Sequence, residues 1–238
     1  MLVATWNLER GGCARAARAA QEDALRELAA DVIVLTEPPA QSRSAAGVVA
    51  SSPRREDAGE RESWVAIVGA CVEPVALDVP YDRMAVAARA RVGGEAVVVY
   101  GAVLPWLAVA KHAPDVVRSG EDSEATFLRA LDEQVEDVRL LQRMHPGEMV
   151  IWAGDFNQTL AGPLWGGSRT RRDRLASALA SIGYAAWNAH AAHAMAGMNA
   201  IDLICGPAER APVRQGRVDC TRGGVVMSDH AGYWVETA

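Results

Sequence analysis

The chain has 238 residues, half of them hydrophobic, and a formal net charge of −6 at pH 7. That length and apolar content suffice to bury a sizeable core in a single domain, 1–238, while the acidic balance excludes the global basic field that drives nonspecific nucleic-acid binding. Cys13, Cys71, Cys205 and Cys220 are scattered without CxxC or Cys/His spacing, which indicates thiols in a reducing compartment and neither a zinc site nor a disulfide framework.

Leu2 to Leu8 reads as a strand. It follows Met1 with no basic lead, and no apolar run anywhere is long enough to span a bilayer, so a cytoplasmic protein without membrane insertion is expected. Arg15 to Ala30 carries Ala, Leu, Arg and Glu with apolar spacing at three and four, which predicts a helix, and Val32 to Leu35 a second buried strand. Pro38 to Glu62 is a loop excursion broken by a short Gly47 to Ser51 strand. Trp64 to Gly69, Met84 to Arg91 and Ala96 to Val103 read as strands, the first two separated by turns. Leu107 to Ser123 has no clear period. Glu124 to Met144 is an amphipathic helix capped by Ser123 and stopped by His145-Pro146-Gly147. Met149 to Ala153 is a strand, Arg171 to Ile182 a helix, and Tyr184 to Asn188, Ala200 to Cys205, Val213 to Val218 and Gly232 to Glu236 complete the strands. There is no internal repeat and no Gly-rich phosphate loop.

Acids and amides stand at the ends of these apolar runs: Asn7, Glu37, Asp155, Asn157, Asp202, Asp229 and His230, with Glu9 two places beyond Asn7. Sheet proteins gather such ends at one rim. Five carboxylates crowded there repel, since two like charges ~4 Å apart cost roughly 4 kcal/mol at an effective dielectric near 20. Oxygen ligands with one histidine and no cysteine suit a hard cation, Mg²⁺ or Mn²⁺, and not Zn²⁺. Asp155 and Asn157 are expected on one side of an extended turn, with Phe156 plugging the core between them. Asp202, a lone acid within Ile201-Asp202-Leu203-Ile204, needs a partner. His230, whose tautomer a carboxylate sets, is the candidate. A cationic His230 would stabilise negative charge that develops beside it.

In their order and spelling, Thr5-Trp6-Asn7-Leu8-Glu9, Val34-Leu35-Thr36-Glu37, Gly154-Asp155-Phe156-Asn157, Ile201-Asp202-Leu203-Ile204 and Ser228-Asp229-His230 resemble the endonuclease/exonuclease/phosphatase superfamily from about Leu2 to the C-terminus. The resemblance implies an α+β fold in four layers, α/β/β/α: a two-layer β-sandwich flanked by helices, as in deoxyribonuclease I. It implies a Mg²⁺-dependent phosphoesterase. Glu37 would be the main direct metal ligand, assisted by Asn7, Glu9 and Asp229; Asp155 would position or deprotonate the attacking water, and Asn157 would orient it and touch the phosphate. The substrate expected first is a DNA or RNA phosphodiester, then a small-molecule or lipid-head-group phosphoester, with no obligate protein partner. An inactive binding module on the same fold is the reading of another class. Its support is Val103, which stands where much of the family has a Tyr or His. His112 or Trp106 are candidates to compensate, and Arg169, Arg171, Arg172 and Arg174 form a candidate backbone-tracking cluster.

Overall fold

The computed structural model describes residues 1–9, 15–38, 48–52, 63–69, 75–81 and 83–238. In chain order its elements begin with β1 (Leu2–Asn7), α1 (Arg15–Leu28), β2 (Val32–Thr36), β3 (Val48–Ser51), β4 (Val65–Val68), β5 (Val75–Leu77), β6 (Ala85–Val92), β7 (Glu95–Val103) and the short α2 (Val109–His112). They continue with α3 (Ser123–Met144), β8 (Met149–Asp155), α4 (Arg169–Ser181), β9 (Tyr184–Ala186), β10 (Asp202–Pro207), β11 (Arg214–Val218), β12 (Thr221–Arg222), β13 (Val225–Val226) and β14 (Gly232–Glu236).

The strands form two six-stranded sheets, ordered β11-β14-β1-β2-β4-β3 and β5-β6-β7-β8-β10-β9, beside the small β12-β13 ribbon. Each sheet has one parallel pair at its middle: β1 with β2, joined through α1, and β7 with β8, joined through α3. A parallel pair requires such a crossover, so both helices follow from the pairing. Alternation then sorts the side chains. On β1, Ala4 and Trp6 pack with Ala24 and Leu25 of α1, while Val3 joins the core between the sheets. On β7, Tyr100 faces α3 through a 2.8 Å hydrogen bond from its hydroxyl to the buried Asp137 carboxylate. The next residue, Gly101, faces Val34 and Val65 of the opposite sheet, so close that a β-carbon there would lie 2.9 Å from the Val65 side chain. The order is therefore helix, sheet, sheet, helix, the four layers expected.

Several local expectations shift. Asp122, in an extended conformation, accepts from the Ala125 amide at 2.8 Å and is the cap of α3; Ser123 is already helical. Ser168 caps α4 two residues earlier than expected and also donates to Glu124 at 2.6 Å, tying the two helix starts together. The three-residue β5 occupies a segment read as turns and the β12-β13 ribbon one without a predicted element, because strands of two or three residues carry too little alternation to register. The aperiodic stretch after Leu107 holds α2 and a 3₁₀ turn, Pro114–Val116. Most of the Pro38 to Glu62 excursion, including Gly47, lies outside the described residues, as do Cys13 and Cys71. Among the described residues no helix is long and apolar enough to cross a membrane.

Gly154, at the end of β8, has φ of +142°, and a β-carbon on it would sit 1.9 Å from the Ala102 carbonyl oxygen of β7. Gly154→Ala is expected to cost about 3 kcal/mol or more, lowering the melting temperature by roughly 6 to 12 °C for a chain of this size. Calorimetry checks this; an unchanged melting temperature would mean that β7 and β8 are not so tightly apposed.

Candidate active site

The inward positions of the two sheets bring distant residues together. Asn7 ends β1 on the side of Val3, and Asp155 ends β8 on the side of Gly101, both between the sheets. Their side chains meet across the sandwich, Asn7 Nδ2 donating to Asp155 Oδ2 at 3.0 Å, and both residues are 3% exposed. The Asn7 amide oxygen turns the other way to accept from the Glu9 backbone N–H at 2.8 Å. Gln21 of α1 is fully buried and donates to the Leu8 and Met227 carbonyls, so one helix residue fixes the loop after β1 and the loop before His230. Ser228 completes the tie: its hydroxyl donates to the Asn7 carbonyl at 2.7 Å and accepts from the His230 N–H at 3.0 Å.

Phe156 is buried against Trp152, as expected, but Asn157 is not extended; its φ is +50°. Its N–H instead donates to Asp155 Oδ1 at 2.8 Å and its amide to the Leu104 carbonyl at 2.9 Å. Glu9 and Glu37 are left-handed too, with φ of 49° and 48°. Only one other non-glycine among the described residues, Ala29, shares this conformation, which costs of order 1 kcal/mol each time. Strain of this kind, gathered at three motif residues, marks positions whose side-chain direction matters more than local stability.

Asp202 begins β10 directly across from Asp155, each the other's partner in the antiparallel ladder. Two like charges at facing positions repel. His230 relieves them: its Nδ1 lies 2.6 Å from Asp202 Oδ2. Burial disfavours the imidazolium, but Asp202, then Asp155 and Asp229, outweigh it and raise the His230 pKa to about 10. The Asp155 carboxyl is pushed up to about 7, first by burial and then by Asp202, against the downward pull of His230 and of the Asn157 and Asn7 donors. Asn188, a buried residue, braces this end of β10 by donating to the Asp202 carbonyl at 2.9 Å and accepting from the Ile204 N–H at 2.8 Å.

The remaining acids form the outer part of the site. The Asp229 N–H donates to Glu9 Oε2 at 3.2 Å, and Asp229 Oδ1 lies 3.6 Å from His230 Nε2. Glu37 hangs from the Trp64 carbonyl by a 2.8 Å backbone bond. The Glu9 carboxyl is raised above its ordinary value by partial burial, then by the charges of Asp229 and Glu37. Glu9, Glu37 and Asp229 bring carboxylate oxygens to this outer part of the site, and such oxygens are the donor type that a hard cation takes.

Val103 is buried beside Asp155 in the β7-β8 register and offers no polar atom. Trp106 sits between Trp64, at 5.3 Å, and His112, at 6.4 Å between ring centroids. The arginine cluster is divided between the interior and the surface. Arg171 is fully buried with its guanidinium 4.9 Å from the centre of the Phe127 ring, Arg172 donates to the Gly162 and Pro163 carbonyls, and Arg174 pairs with Asp132 at 2.8 Å. Arg169, at the first turn of α4, and Arg174 are both exposed and keep the outward disposition expected of the group. Sequence reasoning missed His193, a buried residue whose ring centroid is 5.5 Å from that of His230 and 4.7 Å from that of Trp165. Its signal was a polar ring isolated among Ala and Met in a stretch without period.

The sequence profile of the Endonuclease/Exonuclease/phosphatase family matches residues 4–230. Among solved structures the chain is similar to the endonuclease domain of TRAS1, a telomere-specific non-LTR retrotransposon, with a TM-score of 0.64, 17% identity, and 98% of this chain and 96% of that one covered. It is also similar to the catalytic domain of Xenopus laevis APE2, with a TM-score of 0.66 and 17% identity over 100% and 91% of the two chains. An endonuclease/exonuclease/phosphatase family protein from Leptotrichia buccalis C-1013-b aligns at 0.64 and 14% over 100% and 99%. These likenesses show the deoxyribonuclease I-like fold. No curated protein matches the chain.

The pair of shifted groups makes stability depend on pH. His230 is raised above its unfolded value of about 6.5, so its contribution is complete below that pH and is lost as pH rises through about 10. Asp155 is raised as well, and its contribution is lost between about pH 4 and about 7. In metal-free buffer the melting temperature should therefore fall from pH 7 to 10, and His230→Gln should lose the part of the fall that reaches about pH 10, leaving the fall carried by Asp155, whose upper end moves above about 7 once the pull of His230 is gone. Parallel curves for the two proteins would contradict the assignment.

Proposed function

We propose that this chain, which belongs to the Endonuclease/Exonuclease/phosphatase family, is a divalent-metal-dependent hydrolase of phosphoric ester bonds working as a single domain. The observation that supports this reading best is the meeting of Asn7 and Asp155 across the two sheets, with the His230–Asp202 pair beside them. Glu37, with Glu9, Asp229 and the free lone pair of the Asn7 amide oxygen, would hold Mg²⁺ or Mn²⁺, which when bound supplies Lewis-acid polarisation of a phosphoryl oxygen.

The protein's own groups have separable tasks. Asp155, ionised, accepts a proton from the attacking water, and its raised pKa makes it a stronger base than an ordinary carboxylate. Asn157 is anchored by its amide nitrogen, which leaves its carbonyl oxygen to orient the water. His230 keeps Nδ1 on Asp202 and offers Nε2–H to the phosphoryl oxygen on which charge accumulates. Asp202 fixes that tautomer and keeps the ring cationic.

A nucleic-acid phosphodiester is placed first as substrate, following the endonuclease domain among the structural neighbours. A small phosphoester is the second reading, favoured by the burial of Arg171 and the hold of loop carbonyls on Arg172, which remove two of the four arginines from the outward basic surface of α4. The free thiols of the buried Cys205 and half-buried Cys220 support a reducing, cytoplasmic setting.

Hydrolysis of bis-p-nitrophenyl phosphate with Mg²⁺, then with EDTA, tests the reading. Turnover should vanish on chelation, and Asp155→Asn or His230→Ala should each lower kcat by about a hundredfold or more with the fold intact by circular dichroism. No metal-dependent turnover on this substrate, DNA, RNA or a phosphomonoester would leave an inactive binding module. Parallel loss of fold and activity would assign these residues to structure alone.

A second expectation concerns backbone strain. Glu37→Gly should leave the melting temperature within a few degrees of wild type, since relief of the left-handed conformation offsets the extra chain entropy of glycine, about 1 kcal/mol in each direction. Metal-dependent turnover should be lost. Full activity in Glu37→Gly would remove Glu37 from the ion site.

A further inference from the structure

His193 and Asp202 each carry a buried polar atom with no hydrogen-bond partner: Nε2 of the imidazole and Oδ1 of the carboxylate. The two residues are 3% and 0% exposed. Ligand-type atoms of His193, Asp202 and His230 all lie within 4.8 Å of one another, the one group of three with this compactness among the described residues. Such a trio invites two readings, a transition-metal site or a hydrogen-bonded chain.

The backbone decides between them. The Met195 N–H donates to His193 Nδ1 at 3.1 Å, and a backbone N–H can only donate, so Nδ1 presents its lone pair. A neutral ring with Nδ1 as acceptor carries its proton on Nε2. That nitrogen therefore has no lone pair to give a metal. Burial, followed by the charge of His230, lowers the His193 pKa, in keeping with a ring that stays neutral next to a cation. The ring is also held in place. Ala192 bridges Asn199, His193 N–H donates to the Met198 carbonyl at 2.9 Å, and the Tyr233 hydroxyl donates to the Ala192 carbonyl at 3.1 Å.

An orphaned donor and an orphaned acceptor, on buried residues whose ligand-type atoms approach within 4.8 Å, each carry a cost of about 1 to 3 kcal/mol unless they meet. We infer that His193 is a positioning residue, donating its Nε2–H to Asp202 Oδ1 directly or across one water, so that Asp202 holds a fixed orientation with Oδ2 on His230. The chain then runs His193, Asp202, His230. Asp202 accepts from both sides, which stops the carboxylate from rotating away from His230. The catalytic consequence rests on the hydrolase reading above; the hydrogen-bond chain does not.

The experiment is therefore read in two ways. In the wild-type protein with ¹⁵N-labelled histidine, the nitrogen shifts of His193 should report a proton on Nε2 and none on Nδ1; a proton on Nδ1 would overturn the inference. The low-field proton on His230 Nδ1 should shift and exchange faster with solvent in His193→Phe, which keeps ring volume and loses the donor. It should return towards wild type in His193→Gln, whose amide places an N–H at the same reach. If both folded variants leave that proton unmoved, His193 only packs. In the hydrolysis assay, kcat should fall about tenfold in His193→Phe at unchanged KM and recover within about threefold in His193→Gln. An inactive wild type with the expected resonances would sink the hydrolase reading and leave the chain standing; activity with unmoved resonances would do the reverse.

Discussion

Two buried aspartates facing each other across one strand pair are the constraint around which the molecule is organised. Asp155 and Asp202 are ladder partners at the end of the β8-β10 pair, exposed by 3% and 0%. Two bare carboxylates at that depth would drive each other neutral. The fold supplies one cation, His230, and a set of donors: the Asn7 amide from the other sheet and the Asn157 N–H from the following turn. Because one imidazolium serves two acids, Asp202 takes the hydrogen bond and Asp155 is left with the raised pKa of a base.

That division of charge depends on how the sheets are joined. Asn7 reaches Asp155 only because β1 and β8 lie face to face in their respective sheets and end at the same rim. Strand alternation makes this a matter of parity: moving either strand by one residue would turn its terminal polar group into a helix-facing layer. The ties are correspondingly dense around the last turn of each motif, where Gln21, Ser228, Asn188 and the Trp6 indole, which donates to the His230 carbonyl at 3.1 Å, all clamp backbone. Left-handed Glu9, Glu37 and Asn157 show the corresponding cost in strain.

Much of this was legible in the sequence for physical reasons. Apolar runs ending in Asn, Asp or Glu are expensive unless those ends share a site, and Gly154-Asp155-Phe156-Asn157 and Ser228-Asp229-His230 are spelled in residue types with few structural uses. Asp202 could be paired with His230 because a lone acid between Ile201 and Leu203 must have a cation. What stayed hidden depends on geometry that spacing does not carry. Nothing in Arg171 distinguishes an arginine folded onto Phe127 from one tracking a phosphate backbone, since both begin a helix with Asp173 interleaved. The left-handed turn of Asn157 is invisible without its neighbours, and His193 reaches the site only through the tight 192–199 turn. Short strands such as β5 fall below the length at which a period exists.

The direct test of the central claim is the ionisation state of His230, followed by NMR through a pH titration of wild type and of Asp202→Asn in metal-free buffer. One cation shared between two buried acids predicts an imidazolium that persists to about pH 10 in the wild type and that loses its proton far lower once Asp202 is neutral. A His230 that titrates near its ordinary value of about 6.5 in both proteins would contradict it.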